Sequence, residues 1–269
     1  MINKILATLA IIALVAATSQ ATTIQFTTSE GYTNGDLNGQ NSWNASTAWD
    51  VANAAGLGNA QTSFNGAGAT LGLPAITLTS GQSVTLSANF QFIGSYTAGG
   101  QGAANRNFFG LGISRSTTAY GGADTAEATM GLLGNGDAAG TSAYTLLNNY
   151  GAMTGMTTIN GFNTGDVFQI DYTLTLGANA GASSYTAQIT NLTDSLSTAL
   201  GTKSGLDANV YDALTTTGGF AYFRTSFDMT AVTGVTSAQM NSYTVIPEPS
   251  SIALVGLGLA ALISRRRRA

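Results

Sequence analysis

The chain has 269 residues, of which only 8% are charged, and it contains neither cysteine nor histidine. The absence of both side chains excludes disulfides and argues against zinc sites, cysteine nucleophiles and serine hydrolase triads. Between residues 22 and 246, twelve acidic side chains outnumber four basic ones. An acidic body of this kind predicts no binding to nucleic acid or to anionic lipid, since both require clusters of lysine and arginine.

The N-terminal segment has the pattern of a secretory signal peptide. Lys4 supplies a positive charge before the apolar stretch from Ile5 to Ala17, and small residues precede the bond after Ala21. These are the features that a signal peptidase recognises. We therefore predict a signal helix over residues 1–21, with cleavage between Ala21 and Thr22. An uncleaved anchor is the alternative, and either interpretation predicts that the body is exported.

The body, residues 22–246, is predicted to form one all-β domain. Its many Gly, Thr, Ser and Asn residues favour short strands and tight turns. Apolar and polar residues alternate strictly over Ser83–Phe92 and over Val167–Leu176, which is typical of strands with one buried face. The second of these strands and Ser184–Thr190 are separated by the loop Gly177–Ala182 and should form an antiparallel hairpin.

Weaker alternation predicts six further strands and one short helix. The strands are expected at Thr22–Phe26, Ala75–Thr79, Asn107–Ser114, Ala143–Leu147, Gly219–Phe227 and Met240–Ile246. The helix is expected over Ser204–Leu214, where apolar residues recur at intervals of four. Nine strands without a repeat of fixed period predict two packed antiparallel sheets, a sandwich of the jelly-roll type, rather than a propeller.

A short stretch near the start of the body carries candidate calcium ligands. Asn34, Asp36 and Asn38 match the first half of a calcium-binding loop, whose oxygen ligands suit a hard cation. The match is incomplete, because Ala45 stands where such a loop ends in glutamate. Asn, Asp and Gly are equally typical of turns. Calcium is therefore the single cofactor considered, with turn formation as the favoured alternative.

Two tryptophans follow this stretch and are candidates for stacking against glycan rings. Trp43 and Trp49 lie near loops that carry Asn and Gln. Sugar-binding sites commonly combine an aromatic platform with such planar polar groups. Aromatic rings also fill protein cores, and core packing is the interpretation that the sequence favours for both residues.

The order of these elements resembles the concanavalin-type lectin and glucanase sandwich found in exported proteins. The resemblance is carried by Gly35–Trp43, which reads Gly-Asp-Leu-Asn-Gly-Gln-Asn-Ser-Trp, and by the strand order around it. It implies that the first and last strands pair, so that Thr22–Phe26 should lie beside Met240–Ile246. It also implies that the C-terminal segment leaves from an edge of the sheet.

The sequence predicts a non-catalytic protein. Without histidine and cysteine, a glycosidase that uses two carboxylates is the remaining hydrolase mechanism. The glucanases of the resembling fold carry Glu-x-Asp-x-x-Glu along a strand, and this motif is not present. The closest match to this motif in the sequence is the segment from Asp124 to Glu127, which is expected to lie in a Gly- and Ala-rich loop. A carbohydrate-binding module is the alternative function, and a degenerate glycosidase is the weaker one.

The C-terminal segment combines a rigid spacer, a short apolar run and a basic cluster. Pro247, Glu248 and Pro249 form an extended spacer, because proline cannot continue a helix. Residues 250–264 would make a helix of about 22 Å, at about 1.5 Å per residue, which is shorter than a bilayer core of roughly 30 Å. A short helix can still span the bilayer when the side chains of flanking arginines extend to the lipid headgroups. The arginines also keep that end of the helix on the cytoplasmic side. The arginines that follow are Arg265, Arg266, Arg267 and Arg268.

This tail, from Val245 to Ala269, resembles the PEP-CTERM sorting signal of Gram-negative bacteria. The resemblance implies that an exosortase, a membrane-embedded cysteine protease or transpeptidase, cuts near Pro-Glu-Pro and delivers the protein to the cell surface. It also implies a link to exopolysaccharide production. The implied partners are the exosortase, a signal peptidase, the inner membrane during transit, and exopolysaccharide. An ordinary tail anchor or a last core helix is the alternative.

The sequence thus predicts three parts: a signal peptide at 1–21, a β-sandwich at 22–246, and a sorting signal with a single transmembrane helix at 247–269. The expected product is an inner-membrane-anchored precursor that becomes a cell-surface or extracellular protein. A structural or adhesive role in a polysaccharide matrix is what the resemblance of the tail implies.

Overall fold

The computed structural model describes residues 21–46, 48–62, 68–72, 75–97, 107–118, 125–132, 143–149, 152–159, 165–226 and 233–247. These residues fold as two antiparallel sheets, which confirms the all-β sandwich predicted from the sequence. The signal helix and the C-terminal membrane helix predicted from the sequence lie outside these ranges. Of the helices within them, none has the length and apolar character needed to cross a membrane.

Sixteen strands lie in the described part of the chain. In chain order they are β1 (Thr22–Ile24), β2 (Gly35–Asp36), β3 (Trp43–Ala45), β4 (Asp50–Ala52), β5 (Asn59–Thr62), β6 (Gly68–Leu71), β7 (Ser83–Thr97), β8 (Asn107–Ser114), β9 (Thr125–Leu132), β10 (Ala143–Asn149), β11 (Ala152–Ile159), β12 (Phe168–Thr175), β13 (Ser184–Asn191), β14 (Leu196–Ser204), β15 (Phe220–Ser226) and β16 (Thr233–Pro247). Helix α1 (Ala208–Asp212) continues into a π-helical turn, Ala213–Thr217. Short 3-10 turns occupy Thr28–Glu30, Gln40–Ser42 and Ala180–Ala182.

The strands form a nine-stranded sheet, called sheet A, and a seven-stranded sheet, called sheet B. Sheet A has the order β14-β13-β12-β7-β16-β5-β4-β2, and β1 pairs with β16 beside this path. Sheet B has the order β11-β10-β9-β8-β15-β6-β3. Every strand pair in both sheets is antiparallel, as is usual for a β-sandwich.

The strands predicted from strict alternation of apolar and polar residues are confirmed. β7, β12 and β13 cover the three strongest predictions, and β12 and β13 form the predicted hairpin with Tyr172 opposite Ala187. The strand predicted over Ala75–Thr79 is wrong, because only Ile76 forms an isolated bridge there, with Gly219. The helix predicted over Ser204–Leu214 starts later, at Ala208, since the side chain of Asp207 accepts the backbone N–H of Asn209. Its π-helical turn extends to Thr217, beyond the predicted end.

The core lies between the two sheets and is rich in aromatic rings. Phe90 of sheet A stacks on Phe109 of sheet B, with ring centroids 4.3 Å apart. Phe223 of sheet B makes an edge contact with Trp43 at 5.1 Å. Such contacts add about 0.5–1.5 kcal/mol each to the burial of the rings. A core of this kind supplies the stability that disulfides provide in smaller exported domains.

Two buried tyrosines occupy the inner face of sheet A. The rings of Tyr172 and Tyr185 lie 5.5 Å apart, and both are almost fully buried. Within the described part of the chain neither hydroxyl has a hydrogen-bond partner. Burial raises the pKa of both phenols, with a smaller contribution from neighbouring acidic groups. Each side chain is therefore held in its neutral form.

We expect the fold to lose stability as the pH rises past about 10, the ordinary pKa of tyrosine. Burial raises the folded-state pKa of Tyr172, Tyr185 and Tyr243. Their stabilising contribution is therefore complete below the pKa of the unfolded chain and is lost as the pH rises towards the folded-state pKa. Urea unfolding at neutral pH and at pH about 10.5 measures the loss.

Tyr172→Phe should reduce this alkaline sensitivity without weakening the fold at neutral pH, because the hydroxyl that it removes is buried without a partner. Tyr211→Phe, at a half-buried ring, is the control. A loss of more than about 1 kcal/mol at neutral pH in Tyr172→Phe would mean that its hydroxyl has a stabilising contact.

Candidate functional site

The two ends of the body meet in sheet A. Thr22 pairs with Val245 and Ile24 pairs with Tyr243, so β1 lies beside the last strand. This confirms the predicted pairing of the first and last strands. The predicted signal-peptide cleavage point, between Ala21 and Thr22, is consequently next to the residue that begins the predicted sorting tail. Both ends of the body lie at the same end of the sandwich.

The last strand is an interior strand, which corrects the expectation that the tail leaves from an edge of the sheet. β16 pairs with β7 along one side and with both β5 and β1 along the other. The strands β5, β4 and β2 extend the sheet beyond it. Sequence patterns could not predict this arrangement, because β2, β4 and β5 are too short to show alternation.

Regular pairing continues as far as the first proline of the spacer. Ile246 lies opposite Thr85, and Pro247 lies opposite Val84. Proline has no N–H to donate to a ladder, which suits it to the last position of a strand. Glu248, Pro249 and the four arginines at 265–268 lie outside the described residues.

The predicted calcium ligands are used to hold turns. The Asp36 carboxylate accepts the backbone N–H of Asn38 at 2.8 Å, and the Asn34 side chain accepts that of Ala54 at 2.9 Å. The Asn38 side chain accepts the backbone N–H of Ala45 at 3.2 Å. Across the described ranges no cluster of three His, Cys, Asp or Glu residues is present. A calcium site at Asn34, Asp36 and Asn38 stays a prediction.

The two tryptophans are buried, which contradicts their candidacy as glycan-stacking platforms. Trp43 is 2% exposed and Trp49 is 0% exposed. Both rings pack against Phe223, and Trp43 donates its indole N–H to the hydroxyl of Tyr32 at 2.8 Å. Neither indole face is accessible to a sugar, because both point towards the core between the sheets.

Glu127 lies in β9 of sheet B rather than in the loop that the sequence predicted. Its carboxylate is 1% exposed. Arg224 donates to it from Nε at 2.5 Å and from Nη2 at 2.7 Å, and the hydroxyl of Tyr222 donates at 2.6 Å. Glu127 and Arg224 are the one acidic and the one basic residue in the seven described strands of sheet B.

The strand register brings these three side chains together. Gly112 of β8 lies opposite both Glu127 and Tyr222, so the glutamate and the tyrosine flank a residue without a side chain. A Cβ at Gly112 would lie 2.0 Å from the carbonyl oxygen of Ala126. Glycine is therefore required for the close approach of β8 and β9.

This cluster lies on the face of sheet B that points away from sheet A. Phe109 contacts the core of sheet A, and residues along a strand alternate between faces. Gly110 and Gly112 consequently point outwards, as do the residues paired with them, Glu127, Tyr222 and Arg224. In a two-carboxylate glycosidase this face would have to present a second acidic group, which the described strands of sheet B do not contain.

Glu127 and Arg224 form a partly buried ion pair that the hydroxyl of Tyr222 joins. Burial alone would lower the pKa of Arg224, but the charge and hydrogen bonds of Glu127 raise it above its ordinary value. Burial, followed by the charge of Glu127, raises the pKa of the Tyr222 hydroxyl. Arg224 therefore stays charged and Tyr222 stays neutral, and both are committed to the same carboxylate.

Sequence reasoning missed this cluster. One signal was available: the strand predicted over Gly219–Phe227 carries Arg224 directly after the run Phe220–Phe223 of apolar and aromatic residues. A charged residue inside a strand of a nearly uncharged chain needs a partner of opposite charge. The chain has three glutamates, Glu30, Glu127 and Glu248, which would have made Glu127 a candidate.

Comparisons with known proteins agree with both parts of the chain. Residues 245–268 match the PEP-CTERM protein-sorting motif, the mark of an exported precursor that an exosortase recognises and that is sorted to the cell surface. No curated protein matches the chain.

Several solved structures share the fold of the body at low sequence identity. Lectin II from Ulex europaeus is 12% identical with a TM-score of 0.53, covering 85% of this chain and 98% of the lectin. An endo-1,3-beta-glucanase from Streptomyces sioyaensis is 9% identical with a TM-score of 0.51, covering 86% and 97%. Arcelin-5, a lectin-like defense protein from Phaseolus vulgaris, is 8% identical with a TM-score of 0.51, covering 86% and 99%. The body of the chain therefore has the β-sandwich fold of these lectin and glucanase structures, and residues 245–268 match the PEP-CTERM sorting motif.

Proposed function

We propose that this protein is a non-catalytic component of the cell surface with a structural or adhesive role in an extracellular polysaccharide. The observation that carries the proposal is the direct continuation of β16 into the sorting motif. Val245, the first residue of the motif, is 6% exposed and pairs with both β1 and β7, and the last strand of the sandwich ends at Pro247, within the first three residues of the motif. Removal of the tail would release a folded domain at the surface.

The bonding of Glu127 supports the non-catalytic part of the proposal. A glycosidase needs one carboxyl group free to donate a proton and a second carboxylate about 5 to 9 Å away. Glu127 is instead bonded by Arg224 and Tyr222, and it has no acidic neighbour within the described strands of sheet B. We infer that the cluster stabilises the sheet.

Carbohydrate binding is the second candidate function, and the fold favours it. A lectin, a lectin-like protein and a glucanase share the sandwich fold with this chain. At 8–12% sequence identity this similarity concerns the fold alone. Binding would have to use a surface other than the indole rings of Trp43 and Trp49, since both are buried.

We expect replacement of Glu248 by alanine, or of the four arginines at 265–268 by alanine, to leave the protein in the inner membrane. Both changes remove groups that the PEP-CTERM motif contributes to recognition or retention. Membrane fractionation and surface labelling measure delivery. Asp212→Asn, which removes one exposed charge from the body, is the matched control. Normal surface delivery of both tail variants would contradict exosortase sorting.

We expect the mature protein to end at Pro247 or later. A protease acts on exposed, unpaired backbone, and the chain is paired in sheet A up to Pro247. Mass spectrometry of the C-terminal peptide from surface-delivered protein identifies the last residue. A mature chain that ends before Pro247 would show that β16 opens during processing.

We expect Glu127→Gln to destabilise the fold by about 3 kcal/mol, because it leaves the partly buried Arg224 without its counter-charge. Urea unfolding of the variant and of the Asp212→Asn control measures the difference. Hydrolysis assays on polysaccharides should show no activity in either protein. Polysaccharide hydrolysis that disappears in Glu127→Gln while the fold persists would identify an enzyme instead.

A further inference from the structure

The outer face of sheet A, the face turned away from sheet B, is built of uncharged polar side chains over several adjacent strands. Its residues alternate along each strand with the buried residues of the core, and all of them are exposed or half-buried. They are Ser83, Thr85, Ser87, Asn89 and Gln91 of β7, Gln169, Thr173 and Thr175 of β12, Ser184, Thr186, Gln188 and Thr190 of β13, Ser197, Thr202 and Ser204 of β14, and Ser242 and Thr244 of β16.

The register arranges these side chains in rows that cross the sheet. In one row, Thr85, Thr173, Thr186 and Thr202 lie opposite one another on four successive strands. Neighbouring strands are about 4.8 Å apart, and successive residues on one face of a strand are about 6.8 Å apart. The face therefore presents hydroxyl and amide groups in a regular two-dimensional array.

The hydroxyls of this array retain hydrogen-bonding capacity after pairing with one another. Thr85 bonds Thr173 at 2.8 Å, and Ser83 bonds Thr175 at 2.9 Å. Each hydroxyl has one donor and two acceptor positions. One bond between two hydroxyls uses one donor and one acceptor, which leaves each pair with one donor and three acceptor positions for a ligand.

Charge is nearly absent from the array. Asp171 is its single charged member among the described strands β7, β12 and β13, and both carboxylate oxygens accept the side-chain amide of Gln169 at 2.8 Å. Exposed sheet surfaces ordinarily carry lysine and glutamate. The large apolar residues that are most exposed in the described chain, Leu57, Leu192 and Leu196, do not belong to these rows, and the row of Thr85 continues on β16 with the half-buried Ile246. The face thus matches neither a charged nor an apolar partner.

We propose that the outer face of sheet A binds a neutral polysaccharide. This inference deepens the proposed function and rests on it. A neutral glycan is a chain of hydroxyl groups without charge, and it can satisfy the donor and acceptor positions of the array by many individually weak hydrogen bonds. A chain that crosses several rows gains affinity from the number of its contacts rather than from one strong site.

Isosteric variants test the proposal without disturbing the sheet. The triple variant Thr85→Val, Thr173→Val and Thr186→Val removes three hydroxyls of one row and keeps the β-branched shape that strands favour. The matched control replaces three exposed threonines elsewhere with valine, at positions 28, 33 and 217. The full chain in detergent is assayed by affinity electrophoresis against neutral glucans, dextran and galactomannan, with anionic alginate for comparison.

We expect the unmodified protein and the control to bind at least one neutral polysaccharide and to bind alginate more weakly. The triple variant should bind the neutral polysaccharide about tenfold less tightly, since three modest hydrogen bonds are lost. If the triple variant does not fold, as judged by circular dichroism, Gln188→Ala at an exposed position of the same face should weaken binding by about threefold.

The outcomes separate this inference from the proposed function. Binding that the face variants leave unchanged would place the glycan elsewhere, which overturns the inference and keeps the polysaccharide role. No binding to any neutral polysaccharide would overturn the inference, while the sorting assay stands independently. A dimer that dissociates in the triple variant would show that a second copy covers the face, which also overturns the inference.

Discussion

The pairing of β16 on both of its sides is the constraint on which the rest of the structure depends. β7 holds one side over almost the whole strand, and β5 and β1 hold the other. The strand thus connects the first residues of the body, the centre of sheet A and the sorting motif. Proteolytic cleavage in proteins concentrates in exposed, poorly ordered segments. The sorting motif here is joined to a strand whose removal would leave β1 without its partner among the described strands and β5 paired with β4 alone.

Only 8% of the residues are charged, and several of these side chains have well-defined hydrogen-bond partners. The described strands of sheet B contain one acidic residue, Glu127, and one basic residue, Arg224, and these two side chains bind each other. They do so on the outer face, beside Gly112, which allows β8 and β9 to approach closely. Glu30 is also hydrogen-bonded to nearby groups: its carboxylate accepts the backbone N–H groups of Gln25 and Thr27 and thereby stabilises the turn after β1. Buried or partly buried charges are tolerated only when they are satisfied in this way.

Sequence periodicity predicted the strands that alternate between buried and solvated residues, and it missed the strands that do not alternate. Strict alternation located β7, β12 and β13, because each has one buried and one solvated face. β6 and β9 were missed because residues on both of their faces are buried: Gly68–Leu71 is buried throughout, and residues 125–128 likewise. Short strands such as β2 cannot show a period. The polar cluster at Glu127 was missed for the same reason, since its strand was not recognised.

The outer face of sheet A has a consequence for the environments in which the protein remains soluble. Hydroxyl and carboxamide groups do not ionise over the physiological pH range, and their contacts with water are not screened by dissolved ions as charge interactions are. A surface hydrated in this manner keeps its character from fresh water to brine and from mild acid to mild base. The outer face of sheet A thus presents the same uncharged groups to solvent over a wide range of pH and salt concentration.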